Sequence, residues 1–217
     1  MVHSPTDLPR LSAGIVADTV IQRSLSEIMA VLKVLRYGDP VLRQPAEKVM
    51  KVSAKIQKLV EDMFDTMYAQ DGCGLAANQV GALKRIFVLD CSTEEKPLPP
   101  MVFINPVLVK KEGAFASREG CLSFPGIYID VKRYSDITVR YMDLKGKSQT
   151  MSVTTHSNAL LCKAIQHEMD HLNGILFVDH VIDRFGTDQL LSQNNLPPIN
   201  PDNILEEPDI DAMLCKT

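Results

Sequence analysis

The sequence predicts an α+β fold in which a few antiparallel strands wrap around one central, largely buried helix. Three observations carry that prediction. Apolar residues recur at helical spacing over two stretches only. Between them, short runs rich in branched and aromatic residues alternate as half-buried strands do, separated by turn-forming residues. The second helical stretch has few polar residues before it reaches Gln166-His167-Glu168-Met169-Asp170-His171, so little of it is written for solvent.

Taken in order, the first 28 residues lack the basic start and apolar centre of a signal peptide. They carry Asp7, Asp18 and Glu27 against Arg10 and Arg23, which argues against an organellar transit peptide. Met29 is a plausible alternative start, and residues 1–28 read as a poorly ordered appendage. Leu32–Arg43 joins an apolar lead-in to a Gly38-Asp39-Pro40 turn. Ser53 is an N-cap for a helix with Ile56, Leu59, Val60, Met63, Phe64 and Met67 on its core face, ending before Gly72.

Arg85–Asp90 and Met101–Lys110 read as strands separated by the Pro-rich loop Lys96–Pro100. Tyr128–Arg133 and Asp136–Met142 follow, and Gln149–Thr154 returns as a hairpin partner across the Asp143–Gly146 turn. Ser157 or Asn158 caps the second helix, which ends at Gly174. Beyond Val181 the periodicity decays, and Leu196–Thr217 holds four prolines and five acidic residues. The expected organisation is therefore an appendage over 1–28, a catalytic domain over 29–185, and a loose or disordered tail over 186–217.

Composition excludes several function classes. The chain has 217 residues, 45% of them hydrophobic, enough for one sizeable core. Net charge is −4 with scattered basic residues, so no nucleic-acid-binding face is indicated. Apolar runs such as Ile86–Leu89 are far too short to span a membrane. Five cysteines without paired spacing do not form a disulfide framework and fit a reducing, cytoplasmic-type compartment.

The chemistry concentrates in H-E-x-x-H. Residues four apart on a helix lie about 40° apart in projection, so His167 and His171 share a face and can grip one metal ion, with Glu168 beside them as a general base. Two histidines do not complete a site. Among the Asp, Glu, His and Cys residues outside the helix, Cys121 in Glu119-Gly120-Cys121-Leu122-Ser123 stands out as a third ligand, although a free cysteine is more often a small buried hydrophobe. Gly72-Cys73-Gly74-Leu75-Ala76-Ala77-Asn78-Gln79 is a run of small residues that permits close backbone packing; it is also compatible with a plain helix-ending loop.

Together, G-C-G-L-A-A-N-Q (72–79), E-G-C-L-S (119–123) and Q-H-E-M-D-H (166–171) resemble the three signature motifs of the peptide deformylase family, in order and without a gap. Y-G-D-P-V-L-R (37–43) resembles that family's N-terminal region, and the likeness covers about Leu32 to His180. The resemblance implies the peptide deformylase fold and a hydrolase of protein biosynthesis that removes the N-formyl group from nascent chains beginning with formyl-methionine, releasing formate.

By position, Cys121, His167 and His171 would bind one divalent metal with water in the open fourth position. The ion implied in the cell is Fe²⁺, with Zn²⁺, Ni²⁺ or Co²⁺ able to replace it. Metal-bound hydroxide would attack the formyl carbon, and Glu168 would move the proton to the leaving amine. The Gln79 side-chain amide and the Leu122 backbone N–H would stabilise the oxyanion.

Backbone around Cys73, Gly74 and Gly120 would pair with an extended peptide. Leu160 and Ala164 would line the methionine pocket, with Lys163 pointing away from it. Glu119 would pair with Arg133 as structural support. Partners implied are N-formylmethionyl nascent chains and, transiently, the ribosome, with no membrane and a bacterial-type cytoplasmic location. One departure is that some bacterial members carry an arginine soon after E-G-C-L-S, where this chain reads Phe124-Pro125-Gly126-Ile127-Tyr128. An H-E-x-x-H peptidase of internal bonds would use the same helix but does not explain E-G-C-L-S. A catalytically silent binding module would have no need of every ligand and the base.

Overall fold

Strand alternation and helical periodicity resolve, in a computed structural model describing residues 30–205, into three helices and seven strands. Helix α1 is Ala54–Ala69, α2 is Thr155–Leu172 and α3 is Arg184–Gln193. The strands are β1 Gly74–Ala76, β2 Ile86–Leu89, β3 Met101–Glu112, β4 Phe115–Cys121, β5 Phe124–Arg133, β6 Asp136–Met142 and β7 Ser148–Thr154. Antiparallel ladders order one sheet β1-β2-β3-β6-β7, and β4 pairs with β5 in a separate two-stranded sheet.

The strand β2 shows how the layers stack. Its four residues are all buried. Because successive side chains point to opposite faces, Ile86 and Val88 join Val60, Met63 and Met67 of α1, whereas Phe87 and Leu89 join Leu161, Ile165 and Leu172 of α2. The five-stranded sheet is thus sandwiched between α1 and α2. Helix α1 begins as its sequence dictates, with Ser53 Oγ accepting from the Ile56 N–H.

Burial runs without interruption from Ala164 to Met169 and resumes at His171 and Leu172, making α2 the central helix. Its start is kinked at Asn158. Thr154 and Ser157 exchange hydrogen bonds across a first short turn, and Asn158 Oδ1 then accepts from Leu161 N–H to cap the main run. Gly174 closes α2 at φ +73°, and a Cβ there would overlap the Arg43 backbone, so glycine is required on both counts.

Three elements differ from the sequence reading. Strand β4 escaped it because its inward side chains are Ser117 and Glu119, polar residues that leave no hydrophobic alternation. At three residues, β1 is too short for any period. The tail expected to be loose from residue 186 is corrected over 186–205. Helix α3, capped by Asp183, buries Thr187 and Leu191, and Ile199 packs with Leu191, Phe124, Leu176 and Phe177. The tail also hydrogen-bonds back to the core through Leu205 N–H to the Asp179 carbonyl. Two anchors ten-odd positions into a polar stretch suffice to dock it, and local periodicity cannot register so few. The N-terminal appendage and residues 206–217 lie outside the described residues.

Packing of the tail has a measurable consequence. Leu191→Ala should destabilise the protein by about 2–4 kcal/mol, the usual cost of a cavity at a fully buried leucine. Urea unfolding of the full chain measures it, and a change below the experimental error would mean that α3 does not pack.

Candidate metal centre and active site

Two secondary-structure elements bring the candidate metal-ligand set together. α2 carries His167 and His171 one turn apart with ring centroids 5.1 Å from each other, and the end of β4 delivers Cys121. One ligand atom from each lies within 4.8 Å of the others, and among the described residues these form the group of histidine, cysteine and acidic side chains able to share an ion. Cys121 Sγ approaches His171 Nε2 at 3.3 Å. His167 Nδ1 sits 2.9 Å from Glu119 Oε2, which leaves Nε2 as the nitrogen able to face the centre.

Electrostatics test whether a cation fits. Burial lowers the His167 pKa, but the Cys121 sulfur and the Glu119 carboxylate outweigh it and hold the imidazole well above its ordinary value. His171 is pushed down to about 4 by burial and by His167, so it stays a neutral imidazole, the ligating form. The pocket therefore calls for one positive charge beside Cys121, with a neutral nitrogen donor next to it. A borderline divalent ion on a sulfur and two imidazoles meets both demands.

Behind the ligands lies a buried chain of charges. Arg133 donates through Nε and Nη2 to both oxygens of Glu119, at 2.9 and 2.8 Å, and through Nη1 to Asp170 on α2. Asp170 in turn meets His180 Nε2 at 2.9 Å. Burial raises the Glu119 carboxyl, but the Arg133 guanidinium holds it well below the usual carboxylate range. Glu119 therefore stays ionised and orients His167.

Glu168 is buried beside the ligands, and its Oε2 has no hydrogen-bond partner. Burial pushes its carboxyl up to about 7, with the two histidines opposing and Cys121 and Cys73 reinforcing the shift. A Cβ at Gly74 would overlap Glu168 Oε1, so the G-x-G run supplies the space the carboxylate occupies. Gln79, in the 3-10 turn Ala77–Val80, is oriented by its neighbour: Oε1 accepts from Ala76 N–H at 2.8 Å. Nε2 consequently faces Ser123 Oγ at 3.1 Å and Cys121 Sγ at 3.5 Å.

A cleft of about 500 Å³ opens over these groups. Cys73, Gly74, Gln79, Gly120, Cys121, Leu122, Leu160, Ala164, His167 and Glu168 all border it, and Glu119 reaches it from behind. His171 and Arg133 do not border the cleft and lie deeper. Cys73 is exposed, and a hydrogen bond from the Cys91 thiol lowers its pKa while the buried Cys91 is pushed up.

Lys163 corrects an expectation. It borders the cleft, because positions 160, 163, 164 and 167 share one helical face, and Nζ reaches across to the Arg118 carbonyl at 2.9 Å. Sequence reasoning also assigned no role to Ser123 and Asn78. Ser123 receives the Gln79 amide, and Asn78 Nδ2 donates to the His171 carbonyl. Both lay inside quoted motifs, but their partners are 44 and 93 positions away. Arg36 was missed too; its guanidinium donates to the Leu122 carbonyl at 2.9 Å and borders the cleft.

Comparison with known proteins gives one consistent family. The model of the polypeptide deformylase family matches residues 31–185. A peptide deformylase 1 from Nostoc is 47% identical over 158 residues, 72% of this chain and 82% of that protein. A peptide deformylase 2 from Xanthomonas axonopodis pv. citri is 49% identical over 156 residues, 70% and 88% of the two chains. The crystal structure of a peptide deformylase from Synechococcus elongatus in complex with actinonin superposes with a TM-score of 0.72 at 40% identity, covering 78% of this chain and 94% of that one.

The charge network gives a stability prediction. Arg133→Met should cost about 3–5 kcal/mol, since Glu119 and Asp170 would be left buried without their cation. Adding Glu119→Gln should recover part of that loss in the same urea titration. Simple additivity of the two losses would show that the pair is not coupled.

Proposed function

This chain belongs to the polypeptide deformylase family, hydrolases that remove the N-formyl group from nascent peptides, and from that premise we infer which of its residues carry the reaction. The observation that supports the assignment most is the convergence of Cys121, His167 and His171 within 4.8 Å, beside a buried Glu168 oxygen with no partner.

Cys121, His167 and His171 would hold the metal on which the family depends, and Fe²⁺ is the ion proposed for the cell, with Zn²⁺, Ni²⁺ or Co²⁺ able to occupy the same donors. A divalent ion there supplies Lewis acidity, which polarises a carbonyl and brings the ionisation of water toward neutrality. Glu168 accepts the proton of the attacking water at its carboxylate. A pKa near 7 suits a group that must take a proton and then return it. As the formyl carbon becomes tetrahedral, negative charge gathers on its oxygen. The Gln79 Nε2–H, already aimed into the site by the Ala76 N–H, and the Leu122 backbone N–H are the donors proposed for it. The C–N bond then breaks, Glu168 delivers the proton to the departing amine, and formate and a free amino terminus leave.

Around this centre, backbone at Cys73, Gly74 and Gly120 would align the peptide, and Leu160 and Ala164 would accept the methionine side chain. Glu119 and Arg133 would keep His167 in its ligating orientation. A cytoplasmic location and transient ribosome contact belong to the same reading; no described helix is long and apolar enough to cross a membrane. The catalytic domain proposed over 29–185 extends through the packed residues to 205.

Formate release from formyl-Met-Ala-Ser by protein loaded anaerobically with Fe²⁺ tests the reading. Glu168→Gln should keep the metal and lose about 10²–10⁴-fold in kcat. Cys121→Ala should lose the metal by elemental analysis. Near-wild-type turnover in the first variant, or full occupancy in the second, would overturn the corresponding role.

A further inference from the structure

Beside the catalytic cleft lies a second concavity of about 440 Å³, and the two share Arg118 and Tyr128 in their walls. Its construction depends on the segment that sequence periodicity could not read. After the 3-10 turn Phe177–His180, Val181 forms an antiparallel bridge with Val131, and Ile182 N–H donates to the Asp130 carbonyl at 3.1 Å. The chain thus adds one strand-like step to the edge of β5 before Asp183 caps α3. β5 forms one wall and α3 the other, and the buried Leu191 anchors the helix below.

The groove sets apolar side chains beside polar ones that are paired or carry no net charge. Tyr128 is 58% exposed and Ile182 45% exposed, and both border the concavity together with Ile129 and Leu190. The charged groups have partners at hand: Arg118 lies 3.5 Å from Asp130, and Asp183 Oδ1 accepts from Gly186 N–H. Polar Gln189 and Gln193 supply amides without net charge.

A nascent chain continues beyond its formylated residue. Extended, it advances about 3.3 Å per residue, so its length soon exceeds the cleft and must cross the rim. Arg118 and Tyr128 border both the cleft and the second concavity, so a chain that crosses the rim there meets the groove next. Tyr128 also roofs Gly120, where a Cβ would overlap its ring, so the aromatic face lies along the route from one cavity to the other.

We propose that the groove between β5 and α3 binds the substrate polypeptide downstream of its first residues and favours an apolar or aromatic side chain there. The inference rests on the deformylase reading and deepens it: selection among nascent chains extends past the methionine pocket to a second contact on α3.

Two measurements on the full, metal-loaded chain test it. In the first, formyl-Met octapeptides carrying Leu or Ser at the sixth position are compared with formyl-Met-Ala-Ser. The Leu peptide should exceed the Ser peptide by about tenfold in kcat/KM, the worth of one partly buried apolar side chain after ordering costs. In Ile182→Asp and Gln189→Trp, which charge and fill the groove, that ratio should fall to near one with the tripeptide rate unchanged. Equal Leu and Ser peptides in the wild type, or a ratio that survives both variants, would overturn the proposal.

In the second, a benzophenone side chain at the sixth position is photo-cross-linked and mapped by mass spectrometry. Labelling within 182–193 supports the groove, and labelling confined to residues outside it, such as Arg36 or Gln70 of the cleft, refutes it. Absence of formate from the tripeptide would sink the deformylase reading separately, because the cross-link reports on the groove without turnover.

Discussion

The fold depends on how Arg133 is buried. The two-stranded β4–β5 sheet shares no ladder with the five-stranded sheet, yet one candidate metal ligand sits on β4 and two on α2. The Arg133 guanidinium, on β5, grips Glu119 on β4 with two hydrogen bonds and Asp170 on α2 with a third. A planar fork with fixed donors can hold three elements in one geometry, which a lysine could not. In other proteins, replacing such a network by apolar residues often preserves stability. Here its second carboxylate oxygen also meets His167 Nδ1, so the ion pair sets the direction of a ligand as well as the spacing of the layers.

Below that network, apolar packing supplies what charge cannot. Phe124 begins β5 immediately after E-G-C-L-S and stacks on Tyr37 at 4.3 Å, with Phe177 against its edge at 4.9 Å. These rings pin the turn between Cys121 and Phe124, and Phe177 also meets the His167 ring of α2 at 5.6 Å. The tail joins the same cluster through Leu191 and Ile199. Residues after the last signature motif thereby buttress the strand that presents Cys121. The placement of α3 is consequently part of what shapes the mouth of the cleft.

What the sequence made legible follows the range of each interaction. His167, Glu168 and His171 are fixed by helical spacing, a local rule, and α1, β2, β3, β6 and β7 were visible because their periods are apolar. Cys121 was not recoverable that way. Its place after a glycine, outside the helix, made it stand out, but a buried hydrophobe was the more usual reading of a free cysteine, which is what Cys162 is, wholly buried with its thiol pushed up to about 11 by burial; resemblance to a family decided between the two. Strand β4 was invisible because it turns Ser117 and Glu119 inward, and it does so for the site's sake. Asn78, Ser123 and Arg36 carry contacts whose partners are distant in sequence, so no window could have revealed them. Lys163 misled for a different reason: its charge suggested solvent, but the long side chain can lie along the cleft edge and still satisfy its ammonium at a carbonyl.

The buried Glu168 shows how one constraint does two things. Glu168 is buried because β1 passes so close to α2 that a glycine is needed at position 74. That close approach removes water from the carboxylate, and the loss of water is the first cause of its raised pKa. An alanine at position 74 would have to displace Oε1, opening the packing that keeps the carboxylate dry. The small residues of G-C-G-L-A-A-N-Q are therefore more than permissive: they place the β1 backbone against Glu168, and two residues farther on they use the Ala76 N–H to turn Gln79 toward the sulfur of Cys121. Glu168 and Gln79 are both placed against a single stretch of backbone, one by packing and the other by a hydrogen bond, so their mutual arrangement is set before any substrate arrives.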